Sequence, residues 1–408
     1  MRIAVISPFV DRQHGTERVL AEQLSRLSTD HHCELKLYSQ RVCDLSVSSA
    51  REKADGELTG ITWRRVPYVP GPHILQYVFW FFANSICRWW DRRFRRASYD
   101  LLFSVGINAL DADAIAVHIV FHEFYRQIVS QLRFLDAPIS SLPRRLHRRL
   151  YYKLIMMLER HIYSNPSVHL TAVSGLVAGQ LREHFKRSDV HVIPNGVSTK
   201  DFNSFRRLEC RKLAREQLGF DAGDFVLLLL GNDWVKKGVP CLLRAIAANR
   251  DLPTKTVIAG LDDRSIFDAE LKCLDIEDRV RFCPPRRDVM IYYAAADAYV
   301  GPSVEDAYGL PILEAMACAL PVIASIRAGA SEVIQHGVNG LLLQDPADSQ
   351  ELARHISDLV CNPDLCRRLS EGAEIAARRY DWAENAQELM NFLNTVVARQ
   401  TEATGNSV

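Results

Sequence analysis

Two acidic residues beside a predicted helix start are of a type that can accept hydrogen bonds from hydroxyl groups. Asp306 and Glu314 flank a Gly-Leu-Pro tripeptide at 309–311, which opens a predicted helix over 312–319. Proline suits the first turn of a helix, and the N–H groups at a helix N-terminus can hold a phosphate. Glu314, predicted to lie in the first turn, suits the helix dipole and could accept hydrogen bonds from sugar or ribose hydroxyls.

The segment around these acids predicts alternating strands and helices. An apolar run at 298–300 precedes them, and a second apolar strand at 321–325 leads into a small-residue turn at 328–330 and a further helix start. Strand, loop and helix repeated in this order form a βαβ layout, which places the loops at the carboxyl ends of parallel strands. A ligand is therefore predicted at that edge of the sheet.

The same order of elements occurs earlier in the chain. A buried-type strand at 3–7 leads through Gly15 into a helix, and an unbroken apolar strand at 225–230 leads through the loop 231–238 into another. Both halves of the chain therefore predict an α/β fold in which helix N-termini lie beside loop glycines.

Length and composition narrow the function classes. The 408 residues suit two or three domains, and 50 basic against 49 acidic residues do not favour a nucleic-acid binder. Ten cysteines occur without a CxxC pair or a His/Cys cluster at metal spacing, which predicts free thiols in a reducing cytoplasm and no metal. The N-terminal MRIAVISPF is too short for a secretory signal, and no apolar stretch reaches the ~18 residues of a membrane span.

The sequence at 302–317 resembles a motif of the retaining glycosyltransferases of family 4, which is PS-x-x-E-x-F-G-L-P-x-L-E-A-M-A. Asp306 and Glu314 match the two acids of that motif, and Tyr308 stands in the aromatic place. The first acid is Asp rather than the commoner Glu, and Glu305 stands one position earlier. Either Asp306 or Glu305 is therefore the acid that reaches the donor sugar.

The resemblance implies an α/β chain with the GT-B fold, in which two Rossmann-like domains face a central cleft. We predict an N-terminal Rossmann-like acceptor domain over 1–196 and a C-terminal nucleotide-sugar donor domain over 197–382. A C-terminal helix at 383–399 is predicted to cross back to the first domain. The text IPNGV at 193–197 matches the family's hinge between the domains.

Family members often carry G-R-x-x-x-x-K-G after the first strand of the donor domain, and the Arg and Lys grip the diphosphate. Lys237 matches that lysine, whereas Asn232 stands in the place of the arginine, so Lys236 is predicted to supply the second charge. Negative charge builds on the β-phosphate as the donor bond breaks, so preorganised cations and N–H groups should do much of the catalytic work. The predicted donor-binding residues are Gly15, Lys236, Lys237, Glu305, Asp306, Gly309, Leu310 and Glu314.

The first half carries a candidate histidine. Family members often have D-V-I-H-x-H, and the text D-A-I-A-V-H at 113–118 places His118 on the second histidine. A histidine at a strand end could accept a hydrogen bond from donor or acceptor and carry its proton. His122 is the competing candidate, and a packing role is the alternative. The predicted catalytic residues are His118, Lys237, Asp306 and Glu314.

Two further patterns in the first half are ambiguous. Family members usually have the motif G-G-x-E-R here. Gly15 matches its second glycine, and His14 replaces the first. Asp111-Ala112-Asp113 resembles a metal-binding DxD motif, but it precedes a strand and has no partner cluster, so we interpret it as a turn.

A basic, aromatic segment lies at 71–96. Over 64–160 the chain has fifteen Lys or Arg against seven acids, and such a surface suits anionic lipid headgroups. A core helix with a solvated basic end is the alternative. The aromatic residues of the segment considered for such an interface are Phe79, Trp80, Phe81, Phe82, Trp89 and Trp90.

These features predict a metal-independent hexosyltransferase, nearest in motif style to the lipopolysaccharide-core glucosyltransferases. It would move a hexose from a nucleotide-diphosphate sugar, with UDP favoured by the resemblance, to a glycan or glycolipid such as lipopolysaccharide core. The expected partners are that donor, that acceptor and an anionic membrane surface on the cytoplasmic side, with no nucleic acid and no cofactor. A nucleotide-sugar epimerase is one alternative. A non-catalytic nucleotide-sugar binding protein is the other, favoured by the departures at His14, Ala116, Asn232 and Asp306.

Overall fold

The computed structural model describes residues 1–12, 15–49, 60–131 and 142–405. The chain divides into two compact units, one of Met1–Ile193 with Asn385–Val408 and the other of Pro194–Glu384. Each has its own sheet and its own hydrophobic core.

The first unit alternates strands and helices. In chain order they are β1 (Arg2–Ile6), β2 (Phe9–Val10), α1 (Gly15–Thr29), β3 (Glu34–Ser39), β4 (Arg41–Val42), β5 (Ser48–Ser49), β6 (Ile61–Arg65), α2 (His73–Phe94), β7 (Leu101–Val105), β8 (Ala114–Val117), α3 (Phe121–Gln131), α4 (Leu142–Tyr163), β9 (His169–Ala172), α5 (Gly175–Phe185) and β10 (His191–Val192). Within the described ranges, eight of the strands form one sheet in the order β10-β9-β8-β7-β1-β3-β6-β5. The paired strands are parallel.

The second unit repeats this plan. Its elements are α6 (Ser204–Leu218), β11 (Phe225–Leu230), α7 (Val239–Ala248), β12 (Thr254–Ala259), α8 (Asp268–Leu274), β13 (Val280–Cys283), α9 (Met290–Ala295), β14 (Ala298–Gly301), α10 (Leu310–Ala317), β15 (Val322–Ser325), β16 (Leu341–Leu343), α11 (Ser349–Cys361) and α12 (Pro363–Ala377). Residues 194–384 are all described, and six strands form their parallel sheet in the order β13-β12-β11-β14-β15-β16. The helix start predicted after 328–330 is a short 3-10 helix, Gly329–Val333.

The last helix, α13 (Trp382–Gly405), returns to the first unit. Leu389, Leu393 and Val396 are at most 1% exposed and share a core cluster with Ile3 and Val5 of β1. Their spacing along the helix places them on one face, which explains why this face is buried against the sheet. The predicted α/β fold with a returning C-terminal helix is therefore confirmed.

Helix α2 has a buried side and an exposed side. Trp80 and Phe81 are 2% and 9% exposed, so this part of the aromatic segment packs in the core. Large apolar side chains are exposed on its outward side. Each of the following is at least 47% exposed: Phe82, Ile86, Trp89, Trp90 and Phe94. The prediction that all the aromatic residues share one interface is therefore wrong for Trp80 and Phe81. Residues three or four apart share a face of a helix, so an unbroken aromatic run such as 79–82 is divided between its buried and exposed sides.

None of the helices within the described ranges is both long enough and apolar enough to cross a membrane.

Candidate functional site

A buried tryptophan anchors the loop between β11 and α7. Trp234 is 2% exposed, and its ring centroid lies 5.0 Å from that of Phe282. Its indole N–H donates to the carbonyl of Gly231 at 2.9 Å, and its backbone N–H donates to the carboxylate of Asp262. The loop that carries the two predicted lysines is therefore fixed to the core of its unit.

Asn232 has a structural role in this loop. Its Oδ1 accepts a hydrogen bond from the N–H of Leu261 at 2.9 Å, which ties the loop to the end of β12. The ammonium of Lys236 lies 3.6 Å from a carboxylate oxygen of Asp233. Asn232 therefore supplies no charge, and Lys236 as the second cation stays a prediction.

The loop is joined at its backbone to the loop after β14. Gly238 has φ +81°, and a Cβ placed on it would lie 1.9 Å from the carbonyl oxygen of Pro302. The N–H of Val304 donates to the carbonyl of Lys236 at 2.8 Å. Only glycine tolerates both this backbone conformation and so close an approach. The two loops that carry the predicted site residues therefore form one surface.

Lys237 and Asp306 meet on that surface. The ammonium of Lys237 donates to Oδ2 of Asp306, and their side chains are 20% and 16% exposed. The stem of the lysine lies against Gly231, where an added Cβ would come 2.9 Å from its Cε. An ammonium carries three donors, so a lysine held this way can bind Asp306 and a phosphate together.

Backbone contacts hold Asp306 in place. Its N–H donates to the carbonyl of Arg327 at 3.0 Å, and its carbonyl accepts from the N–H of Gly329 at 2.9 Å. A Cβ on Gly309, which has φ +89°, would lie 3.1 Å from Oδ2 of Asp306. The carboxylate therefore lies directly beside the residue that caps α10.

Helix α10 begins at Leu310, immediately after Gly309, with Pro311 at its start and no side chain capping it. Its N-terminus carries partial positive charge from the helix dipole. Lys237 pairs with Asp306, and the carboxylate of Asp306 lies beside Gly309, so the ammonium is at this end of the helix. A cation and a helix N-terminus are thus combined, which is an arrangement suited to a phosphate.

Glu314 lies deeper than predicted. Because α10 starts at Leu310, Glu314 is in its second turn, so the prediction of a first-turn position is wrong. The residue is 3% exposed, and its Oε2 accepts a hydrogen bond from the hydroxyl of Tyr293 at 2.6 Å. Sequence reasoning did not single out Tyr293, and no motif marks it.

The alternatives Glu305 and Asp306 differ in their surroundings. Asp306 pairs with Lys237 and lies beside Gly309, and Glu305 is a half-buried neighbour in the same turn. The geometry groups Asp306 with the lysine. Which acid contacts the sugar stays a prediction.

In the first unit, His118 directly follows β8 and is 9% exposed. Burial lowers the pKa of His118 to about 4, because the charged imidazolium is disfavoured away from water. The ring is therefore neutral at neutral pH and could act there as a hydrogen-bond partner. It would not store a proton under those conditions.

His122, the competing candidate, is engaged with a buried acid. Its Nδ1 lies 2.7 Å from Oε2 of Glu159. At the start of α3, Oε1 of the same carboxylate accepts the backbone N–H of Phe121, and Oε2 accepts that of His122. Burial raises the pKa of Glu159 to about 7. This network gives His122 a structural task at the start of α3.

The other predicted patterns in the first unit are the glycine turn at 14–15 and the DxD-like segment at 111–113. Gly15 begins α1, and an added Cβ would meet nothing within 4 Å, so packing does not require glycine there. His14 lies outside the described residues. Asp111 pairs with Arg88 at 2.6 Å, and Asp113 accepts the N–H of Leu102 at 2.7 Å.

Within the described ranges, no three His, Cys, Asp or Glu side chains gather in a way that could hold a metal ion.

Two family models match most of the chain. The model described as Glycosyltransferase Family 4 matches residues 14–201, and the one described as Glycosyl transferases group 1 matches residues 211–375. The second range contains the lysine loop, Asp306 and Glu314. The chain belongs to the family 4, group 1 glycosyltransferases.

Individual relatives agree with this family. A D-inositol 3-phosphate glycosyltransferase from Xylanimonas cellulosilytica is 31% identical over 219 residues, which are 52% of each chain. The family 4 chain thus spans about half the length of the curated relatives it matches.

Solved structures share the fold. WaaG, a glycosyltransferase involved in lipopolysaccharide biosynthesis, aligns with TM-score 0.71 at 19% identity, covering 95% of this chain and 98% of WaaG. Alr3699/HepE from Anabaena, in complex with UDP-glucose, aligns with TM-score 0.69 at 21% identity, covering 97% and 100%. These likenesses establish the fold of this family 4 chain.

Proposed function

We propose that the chain is a retaining glycosyltransferase that moves a hexose from a nucleotide-diphosphate sugar, with UDP as the nucleotide, to a cell-surface glycan or glycolipid. Lipopolysaccharide core is the acceptor proposed first. The observation that carries the proposal is the meeting of Lys237, Asp306 and the N-terminus of α10 in the second unit. The UDP-glucose held by HepE supports uridine as the base to test first.

Each of these groups has a task in such a reaction. Negative charge develops on the β-phosphate as the bond to the sugar breaks, and Lys237 with the amides of Gly309 and Leu310 would stabilise it. Asp306 would orient sugar hydroxyls, and Glu314 would hold the ribose. The departing phosphate would take the proton of the acceptor, so no dedicated carboxylate base is needed, and Lys237 would supply the positive charge in place of a metal.

Incubation with radiolabelled donor and candidate acceptors tests the proposal. The acceptor panel holds lipopolysaccharide core oligosaccharide and an inositol phosphate, the latter from the name of the relatives. Transfer of label to either with net retention of the anomeric configuration supports a retaining glycosyltransferase. Isomerisation of the free donor would indicate an epimerase, and binding of donor without turnover would indicate a non-catalytic protein.

The acid pair gives a prediction about donor choice. Asp306→Asn should change the preference among UDP-sugars more than Glu305→Gln does, because Asp306 pairs with Lys237 and lies beside Gly309 at the start of α10. The measurement is the ratio of kcat/KM values for UDP-glucose and UDP-galactose in each variant. If Glu305→Gln shifts that ratio more, the sugar contact belongs to Glu305.

The proposal includes reversible binding to the inner face of the membrane. Three aromatic side chains are exposed on the outward side of α2: Trp89, Trp90 and Phe94. The last turn of this helix also carries Arg92 and Arg93. Aromatic side chains with arginines beside them suit the headgroup region of an anionic bilayer. Each basic residue near such a surface contributes about 1 kcal/mol, so four or five acting together could hold the protein.

Sedimentation with vesicles tests this surface. The wild-type chain should pellet with phosphatidylserine vesicles at low salt and be released at high salt, because the attraction is screened. Trp89→Ala should bind roughly tenfold more weakly, since it removes one large apolar side chain. Phe205→Ala, which removes an aromatic side chain that is 76% exposed on α6, is the matched control. Equal binding to neutral vesicles, or none to either kind, would contradict the proposal.

A further inference from the structure

Tyr293 joins the donor site from a distant part of the sequence. Its side chain is fully buried, and its hydroxyl donates to Oε2 of Glu314 at 2.6 Å, across 21 positions of the chain. Burial and the nearby Glu314 raise the pKa of Tyr293. The phenol therefore keeps its proton and remains the donor of this hydrogen bond.

The helix that carries Tyr293 is itself fixed. The ring of Phe202 packs edge-on against Tyr293 with 5.6 Å between centroids. From α6, Arg211 donates to the carbonyl of Ala296 at 2.9 Å, and Arg215 donates to that of Ala295 at 3.2 Å. These cations bind the C-terminal end of α9, where they complement the helix dipole.

The same two arginines also bind one carboxylate. Arg211 and Arg215 contact Oδ1 and Oδ2 of Asp297 at 2.5 and 2.6 Å. The end of α9 and the start of β14 are thereby held together. The phenol of Tyr293 is thus presented from a helix that is tied to its surroundings at one end and packed at its ring.

We infer that Tyr293 is a positioning residue that holds the carboxylate of Glu314 in the orientation in which it takes the ribose hydroxyls of the nucleotide-sugar donor. The inference rests on the proposed function. A glutamate without such a partner would lose rotamer freedom when the ribose binds. The hydrogen bond from Tyr293 orders the side chain in advance, which is the general source of tighter binding by a preorganised site.

Tyr293→Phe tests the inference because it keeps the ring and removes only the donor. The Kd of UDP, measured by calorimetry, should rise about tenfold, since a hydrogen bond to a charged group has about this worth. The KM of the UDP-sugar should rise in parallel, with kcat changed by less than about twofold, as expected when an interaction common to ground state and transition state is lost.

Tyr38→Phe is the matched control. Tyr38 is also fully buried, and its hydroxyl donates to the carboxylate of Asp91 at 3.1 Å, in the first unit. Both variants leave a buried carboxylate without one donor, so both should lower the Tm. Only Tyr293→Phe should weaken UDP binding. An equal loss of affinity in both variants would show a general effect of destabilisation and would overturn the inference.

Two further arms separate positioning from packing. In a Glu314→Ala background, Tyr293→Phe should change the Kd of UDP by less than about twofold, because residues that act through one another are not additive. With 2′,3′-dideoxy-UDP as probe, wild type and Tyr293→Phe should bind with the same Kd. A tenfold effect that persists in either arm would overturn the inference.

UDP binding by the wild-type chain separates the role of Tyr293 from the proposed function on which that role rests. If the wild type binds UDP and Tyr293→Phe binds it equally well, the role of Tyr293 is wrong and the proposed function stands. A wild type that binds neither UDP nor GDP would overturn the proposed function, and the role of Tyr293 with it.

Discussion

Replacing Lys237 by alanine is expected to lower the rate of sugar transfer at least tenfold and to weaken UDP binding. One charge-assisted hydrogen bond contributes about 1.5–3 kcal/mol. The substitution also leaves the carboxylate of Asp306, whose side chain is only 16% exposed, without its cation. That negative charge would then repel the diphosphate that the lysine had attracted. Values of kcat/KM for the UDP-sugar, together with the Kd of UDP, measure both effects.

Lys255→Ala is the matched control for this substitution. Lys255 lies in the same unit, near the amino end of β12, and donates to the carbonyl of Asp278 at 3.0 Å. It carries the same charge and has no place in the proposed site, so its removal should leave transfer unchanged. Near-normal turnover in Lys237→Ala would remove Lys237 from the site.

Gly238→Ala is expected to have the largest effect on stability. The residue has φ +81°, and its new methyl group would lie 1.9 Å from the carbonyl oxygen of Pro302. A left-handed conformation costs alanine about 1–2 kcal/mol, and relief of the clash requires the two site loops to separate. We expect the free energy of unfolding to fall by at least about 2 kcal/mol. UDP binding should be lost together with the Lys237–Asp306 contact.

Gly223→Ala provides the comparison for that prediction. A Cβ on Gly223, in the same unit, would meet nothing within 4 Å. Its denaturant unfolding curve and its UDP affinity should match those of the wild type. A Gly238→Ala variant that unfolds at the wild-type denaturant concentration and binds UDP normally would contradict the close joining of the two loops.

The elements that carry the site loops could be predicted because their patterns are unambiguous. The unbroken apolar run at Phe225–Leu230 forms β11, and the helix Val239–Ala248 has the predicted bounds. By contrast, α6 was missed. Only Ala214, Arg215 and Leu218 of its fifteen residues are buried, so the helix shows no apolar periodicity. Its arginines bind carbonyl groups and a carboxylate of other elements, and such contacts leave no local pattern.

The sequence predicted which residues belong to the site, but it did not predict which of them contact each other. The motif text singled out Lys237 and Asp306, but their contact spans 69 positions and depends on the close approach at Gly238. The helix was predicted over 312–319 with Pro311 suited to its first turn, and it begins two residues before that range, at Leu310. That shift placed Glu314 too near the helix end. Its hydrogen bond with Tyr293 joins α9 to α10 across 21 positions of the chain and leaves no local pattern in either segment.

A crystal structure of the chain with UDP bound is the most direct test of donor binding at Lys237, Glu314 and the N-terminus of α10. We expect the β-phosphate within hydrogen-bond distance, about 3 Å, of the ammonium of Lys237 and of the first amides of α10. We also expect the ribose hydroxyls at the carboxylate of Glu314. A diphosphate bound elsewhere, with Lys237 still paired to Asp306 alone and no nucleotide at α10, would contradict this mode of binding.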